Sequence, residues 1–155
     1  MKKVLILGIG NILLGDEGIG VHAIHALEKE LLSEDAELLD GGTLGFDLIP
    51  HIIEIEKLIV IDAVKTEGRP GDVFKFKLED VEVSKKPNFS LHEIGLLEAI
   101  EMMKKMGYIP PDTTIIGIVP KDWGGYNLSL SPELEERIPY VVQLVKEELR
   151  CMSSQ

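Results

Sequence analysis

Apolar positions in this chain fall into short runs whose period changes at regular intervals. Val4 to Leu7 is a β-rich run closed by Gly8, and after a loop from Gly10 to Asp16 the spacing of Val21, Ile24, Leu27 and Leu31 predicts a helix. Ala36 to Leu39 reads as a short strand followed by a Gly-Gly-Thr turn at 41–43. Leu44 to Ile55 reads as a helix, with Pro50 either near its first turn or kinking it. Leu58 to Ile61 is aliphatic throughout, the pattern of a strand covered on both faces in a parallel sheet.

Further along, Val73, Phe74 and Phe76 alternate with polar partners within Gly71 to Lys77. The connection from Asp62 is too short and too rich in Gly and Pro for a helical crossover, so an antiparallel edge strand is expected there. Ser90-Leu-His-Glu93 has the form of a capping box, which places His92 in the first turn of a helix running through Leu97, Ile100 and Met103 to a stop at Gly107. Thr113 to Val119 is another buried strand, Pro120 to Ser129 a loop, and Ser131-Pro132 caps and opens a last helix reaching about Arg150. The alternation predicts an α/β fold: a three-layer doubly wound sandwich on a mostly parallel five-stranded sheet with one antiparallel edge strand. Such folds bind ligands outside the carboxyl ends of the strands, where strand order reverses.

Composition narrows the class. With 155 residues, 45% of them hydrophobic, the chain can bury a core without disulfides, and we read one domain across 1–155 with a flexible tail from about 151. A formal net charge of −11, with 16 scattered Lys and Arg, argues against nucleic acid, whose phosphates need a basic stripe. The longest apolar run, Leu58 to Val64, is broken by Asp62 and falls far short of the roughly 20 residues of a membrane span. Lys2 and Lys3 precede an apolar run without a signal-peptide cleavage pattern, so a cytoplasmic protein with no membrane insertion is expected. The single cysteine, Cys151, provides neither a disulfide framework nor a cysteine metal site.

Acidic residues gather at strand ends: Asp16 and Glu17 after the first strand, Asp40 at the end of the second and Asp62 at the end of the third. If the first and third strands are neighbours, Glu17 and Asp62 face each other across the switch point, and the helix that starts near His92 could reach the same edge. Two carboxylates and an imidazole suit a borderline divalent ion such as nickel or zinc, with positions left open for water or substrate. Each residue also has a plainer reading. Glu17 could stabilise a helix dipole, His92 could lie on the surface and Asp40 could hold its turn, whereas an unpaired acid closing an aliphatic strand, as Asp62 does, would be costly. His22 and His25, at i and i+3, have no accompanying carboxylate pattern, and His51 and Trp123 have no partner that can be named. Leu96 stands where H-E-x-x-H needs its second histidine, and no G-x-S-x-G is present. Gly8-Ile-Gly10 follows a strand as in dinucleotide-binding loops, but Leu13 replaces the third glycine and Asp16 and Glu17 would repel a pyrophosphate.

Four segments, Gly8-Ile-Gly-Asn-Ile-Leu-Leu-Gly-Asp-Glu-Gly-Ile-Gly20, Leu39-Asp-Gly-Gly-Thr43, Ile59-Val-Ile-Asp-Ala63 and Ser90-Leu-His-Glu-Ile-Gly-Leu96, resemble in order and spacing the hydrogenase maturation endopeptidases. The similarity runs from residue 3 to about 145. It implies an endopeptidase that removes the C-terminal extension of a nickel-iron hydrogenase large-subunit precursor after nickel insertion, recognising the bound nickel. Glu17, Asp62 and His92 would be its catalytic and nickel-binding residues, Asp40 a further catalytic residue, and Gly41, Gly42 and Thr43 the substrate-binding turn that shapes the cleft. The nickel would arrive with the precursor, held by its cysteine thiolates, and either the metal or a carboxylate would activate water. Leu91 and the Trp123-Gly-Gly-Tyr126 loop are not shared across the family, and that loop is a place where isozyme choice would be set. The alternative is a nickel-dependent chaperone that holds the precursor without cutting it.

Overall fold

The computed structural model of the chain describes residues 3–42, 46–80, 91–122 and 125–153. Strand β1 (Val4–Ile9) leads through a 3-10 turn at Gly15–Gly18 into α1 (Ile19–Leu27). Then follow β2 (Ala36–Gly42), a 3-10 turn at Phe46–Leu48 with α2 (Ile49–Ile52), β3 (Lys57–Ala63) and β4 (Val73–Lys77). The remainder is α3 (Leu91–Lys105), β5 (Asp112–Ile118), α4 (Pro132–Glu135) and α5 (Ile138–Ser153). The sheet order is β2-β1-β3-β5-β4, with β4 antiparallel to β5 and the other pairings parallel, as the sequence pattern predicts.

Every residue of β1 and β3 is buried, because helices cover both sides of the sheet. Strand alternation sends Val4 and Ile6 with Ile59, Ile61 and Ala63 against Ile24 and Leu27 of α1 and Val141 and Val145 of α5. Leu5, Leu7 and Ile9 with Leu58 and Val60 meet Ile52 of α2 and Leu96, Ile100 and Met103 of α3 on the other face. Full burial of each such aliphatic side chain is worth about 1.5–3 kcal/mol.

Helix α1 approaches the sheet more closely than side chains normally allow. A β-carbon on Gly20 would overlap the carbonyl oxygens of Ile61 and Ile9, and one on Gly8 would overlap the carbonyl of Gly20. The first turn of α1 therefore rests backbone to backbone on β1 and β3.

Several boundaries differ from the periodicity. Helix α1 ends at Leu27, and Leu31, counted into its apolar face, is 99% exposed. The stretch expected as a helix from Leu44 holds only the 3-10 turn and one α-helical turn, and Thr43, Leu44 and Gly45 lie outside the described residues, as does the Ser90 cap. β2 runs on through Asp40 and Gly41 to Gly42, which has φ +52°, so the first residues of the expected turn belong to the strand. The final helix is broken into α4 and α5 by Pro139, which has no N–H to give and whose ring excludes a continuous turn over Glu135. α5 then continues past Arg150 to Ser153, into the expected tail. The stop at Gly107 is as expected. Gly107 has φ +89°, its N–H donates to the Lys104 carbonyl (3.1 Å) and the Tyr108 N–H to the Met103 carbonyl (3.0 Å), a Schellman closure.

At the amino-terminal pole Lys57 is buried, and its Nζ donates to Asp112 Oδ2 (3.0 Å) and Thr114 Oγ1 (2.7 Å) and pairs with Glu148 Oε2 (3.3 Å). Burial alone would raise both carboxyls, but hydrogen bonds from Lys57 and Lys77 to Asp112, and from Lys75 and Lys57 to Glu148, hold them below their ordinary values.

Because fixed backbone cannot yield to a new methyl group, Gly20→Ala should destabilise the fold by about 3 kcal/mol or more, read by urea unfolding. Wild-type stability in that variant would show that the helix can ride up without cost.

Candidate active site

The strand order reverses at β1, whose neighbours are β2 on one side and β3 on the other, so the carboxyl edge between β1 and β3 is the crevice such folds offer to ligands. Asp62 is the penultimate residue of β3, level with Gly117 of β5, and fully buried. Its Oδ1 accepts the Ala63 N–H at 2.8 Å. By alternation with Leu58 and Val60 it belongs to the face covered by α2 and α3. Glu17 lies half-buried in the 3-10 turn at Gly15–Gly18, which packs against β3. The first and third strands are side by side, so Glu17 and Asp62 share one edge.

α3 brings a third element there. It leaves the sheet's amino end through Gly107 and the chain re-enters the sheet at Asp112, the first residue of β5, so α3 runs antiparallel to the strands. Its length, about 22 Å at 1.5 Å per residue, matches about 23 Å for β5. Its first turn, which contains His92, is thus carried to the carboxyl edge, where α3 also packs on the Phe46–Leu48 turn after β2. The His92 side chain lies outside the described residues, and among the described residues no group of three His, Cys, Asp or Glu side chains could hold a metal.

Asp40 lies two residues before the end of β2, opposite Gly8, and is exposed, with Oδ1 accepting the Gly42 N–H at 3.1 Å. It lines a cleft of about 260 Å3 with Gly10, Asn11, Ile12, Val21 and Gly42. Asp40 both holds its turn and faces open space. Thr43 lies outside the described residues.

The sequence pattern pairs Asp16 with Glu17 and gives it no role, yet the Asp16 carboxylate accepts four hydrogen bonds at this edge. It is 1% exposed. Its Oδ2 accepts the N–H groups of Lys121 (2.9 Å) and Asp122 (3.2 Å) and the Ser131 hydroxyl (2.8 Å), and its Oδ1 accepts the Ser131 N–H (2.7 Å). Burial works to raise this carboxyl, but the Ser131 bonds and then those from Lys121 and Asp122 prevail and hold it below its ordinary value. Ser131, expected as a side-chain N-cap, makes no such bond and spends its hydroxyl on Asp16. No local pattern foretells a pairing across 115 residues.

His22 and His25 do not join the crevice as a pair: His25 is exposed, while His22 is half-buried on α1 with an unpartnered Nε2. Burial and then the neighbouring His25 hold the His22 imidazole below its ordinary value, against the pull of Glu135 and Asp16. The glycines of the dinucleotide-like loop serve the chain itself, since a β-carbon on Gly10 would overlap the Glu17 carbonyl oxygen. The close approach that a pyrophosphate would need is taken by the protein's own backbone.

A model of the hydrogenase maturation protease family matches residues 21–148. The chain belongs to the hydrogenase maturation protease family. The protease is 39% identical over 154 residues to the hydrogenase expression/formation protein HupD of Rhodobacter capsulatus, covering 97% of this chain and 72% of that one. It is 33% identical to the hydrogenase 2 maturation protease of Escherichia coli, covering 96% and 91%. Among solved structures, the hydrogenase maturating endopeptidase HybD of E. coli superposes with a TM-score of 0.87 at 34% identity, covering 97% of this chain and 93% of that one. The [NiFe] hydrogenase maturation protease HybD of Thermococcus kodakarensis gives 0.79 at 26%, covering 96% and 99%. The protease is accordingly a peptidase of hydrogenase maturation on the family's α/β fold. No described helix is long and apolar enough to cross a membrane.

Asp16→Asn turns an amide N–H2 toward backbone donors and should cost about 2–4 kcal/mol at pH 7 in urea unfolding. The folded carboxyl titrates below its unfolded value of 3.8, so its contribution is present above that pH and is lost as pH falls through the folded value. The gap between wild type and variant should therefore stay open down to about pH 4 and narrow as pH falls further, through the folded value. A pH-independent gap would contradict an ionised hub.

Proposed function

We propose that the protease removes the C-terminal extension of a nickel-iron hydrogenase large-subunit precursor, acting in the cytoplasm on precursor that already carries nickel. The observation that supports this reading is that Glu17 and Asp62 lie at the carboxyl edge of the neighbouring strands β1 and β3 and that the first turn of α3, which contains His92, is carried to the same edge. Two carboxylates and an imidazole are a fitting partial ligand set for a nickel ion whose remaining positions are filled by the substrate's thiolates. Nickel is then part of the substrate, and a precursor without it lacks the bridge to the protease. Asp40 and Gly42 line the adjoining cleft, and in this reading Asp40, Gly41, Gly42 and Thr43 contact the peptide flanking the scissile bond. Water attacks that bond, activated by the metal or by a carboxylate. The −11 charge gives no support to a nucleic-acid partner. A non-catalytic chaperone would form a stoichiometric complex instead; membership of a protease family does not favour it.

Alanine at Glu17, Asp62 or His92 should lower processing by about 10²- to 10⁴-fold while circular dichroism stays native. Intact-mass spectrometry of nickel-loaded and nickel-free precursor reads the result. Only the loaded form should lose a C-terminal peptide, and full processing by all three variants would sink the assignment.

A further inference from the structure

The carboxyl edge also carries a feature that the ligand set leaves unused. Two loop segments run side by side there: the Gly15 N–H donates to the Asn127 carbonyl (2.7 Å), the Asn127 N–H to the Leu13 carbonyl (2.8 Å), and Leu14 and Asn127 form a parallel bridge. On this ribbon Leu13 is 51% exposed, Tyr126 90% and Leu128 68%. Side chains so open contribute almost nothing to the core, so folding does not require them to be apolar. The ribbon is nonetheless held firmly, by these backbone bonds and by Asp16, which grips Lys121 and Asp122 before it and Ser131 after it. A surface fixed in advance loses little freedom when a partner binds. It is also continuous with the site, because Ile12 both precedes Leu13 and lines the cleft of Asp40, and Glu17 lies two residues beyond Gly15.

We propose that this ribbon is a docking lip for the precursor, in which Leu13, Tyr126 and Leu128 grip an apolar stretch of polypeptide near the scissile bond and so determine specificity. This rests on the function proposed above. The occupant is the substrate rather than a second copy of the chain, since a copy seated on the lip would obstruct the cleft that the substrate must enter. Aliphatic and aromatic contacts define an apolar partner segment, and the −11 net charge disfavours an acidic one.

The test is steady-state cleavage of nickel-loaded precursor by Tyr126→Ser, Leu128→Ser and the double variant, followed by intact mass. We expect unchanged thermal unfolding, because the side chains are exposed, and an unchanged kcat with a KM raised about tenfold in the double variant. Replacing aliphatic residues of the precursor next to the scissile bond by serine should raise KM for the wild type and add nothing for the double variant. An unchanged KM in the double variant would overturn the lip, as would a wild-type dimer at micromolar concentration that the variant dissolves with KM unaltered. If the wild type releases no peptide from loaded precursor, the proposed function falls and the lip with it.

Discussion

Because Gly8 and Gly20 carry no β-carbons, the first turn of α1 rests directly on the carbonyls of Ile9 and Ile61, and the carboxyl edge is built outward from that contact. The turn at Gly15–Gly18 is continuous with α1, so its height above the sheet is set by the same approach. Gly10 and Gly18 repeat the device one layer out, where added β-carbons would meet the Glu17 carbonyl and the Ile12 backbone. A single methyl group in this stack would lift Glu17 away from the strand that carries Asp62. The glycine-rich motif is thus a spacing device in which each missing side chain shortens the distance between the first turn and β3.

Adjacent acids at this edge have different surroundings. Asp16 points inward and its oxygens are saturated by Lys121, Asp122 and Ser131, so it is a structural anion that ties two loops together. Glu17, one residue on, is half-buried on the turn that meets β3. The other charged cluster, around Lys57, sits at the opposite end of the strands, where Asp112 and Glu148 converge on it. Buried charge at the amino pole is fully paired within the chain and fastens α5 to the sheet.

The fold was largely legible because its information is local. β1 and β3 announce themselves as unbroken aliphatic runs, and Gly107 marks the end of α3 through a Schellman turn that needs its positive φ. The candidate site was legible as far as the sheet edge goes: Asp40 and Asp62 lie within two residues of the carboxyl ends of β2 and β3. What escaped was set by distant partners. Lys57 reads as a polar residue before a strand, and only Asp112, Thr114 and Glu148 explain why it can be buried. Ser131 reads as an N-cap because its competitor for the hydroxyl, Asp16, is 115 residues away. Pro139 was a local signal that the long apolar period of the final helix obscured.

The reach of the Asp16 bonds also has a bearing on the order in which the molecule can be made. During synthesis from the amino terminus, β1, α1, β2 and β3 are complete well before residues 121–131 leave the ribosome, and until then the Asp16 carboxylate has none of its four donor groups. Closing so long a loop is slow compared with forming local turns. The rim of the crevice is therefore finished near the end of the folding sequence, and a truncated or nascent chain holds the acidic side chains without the edge that arranges them.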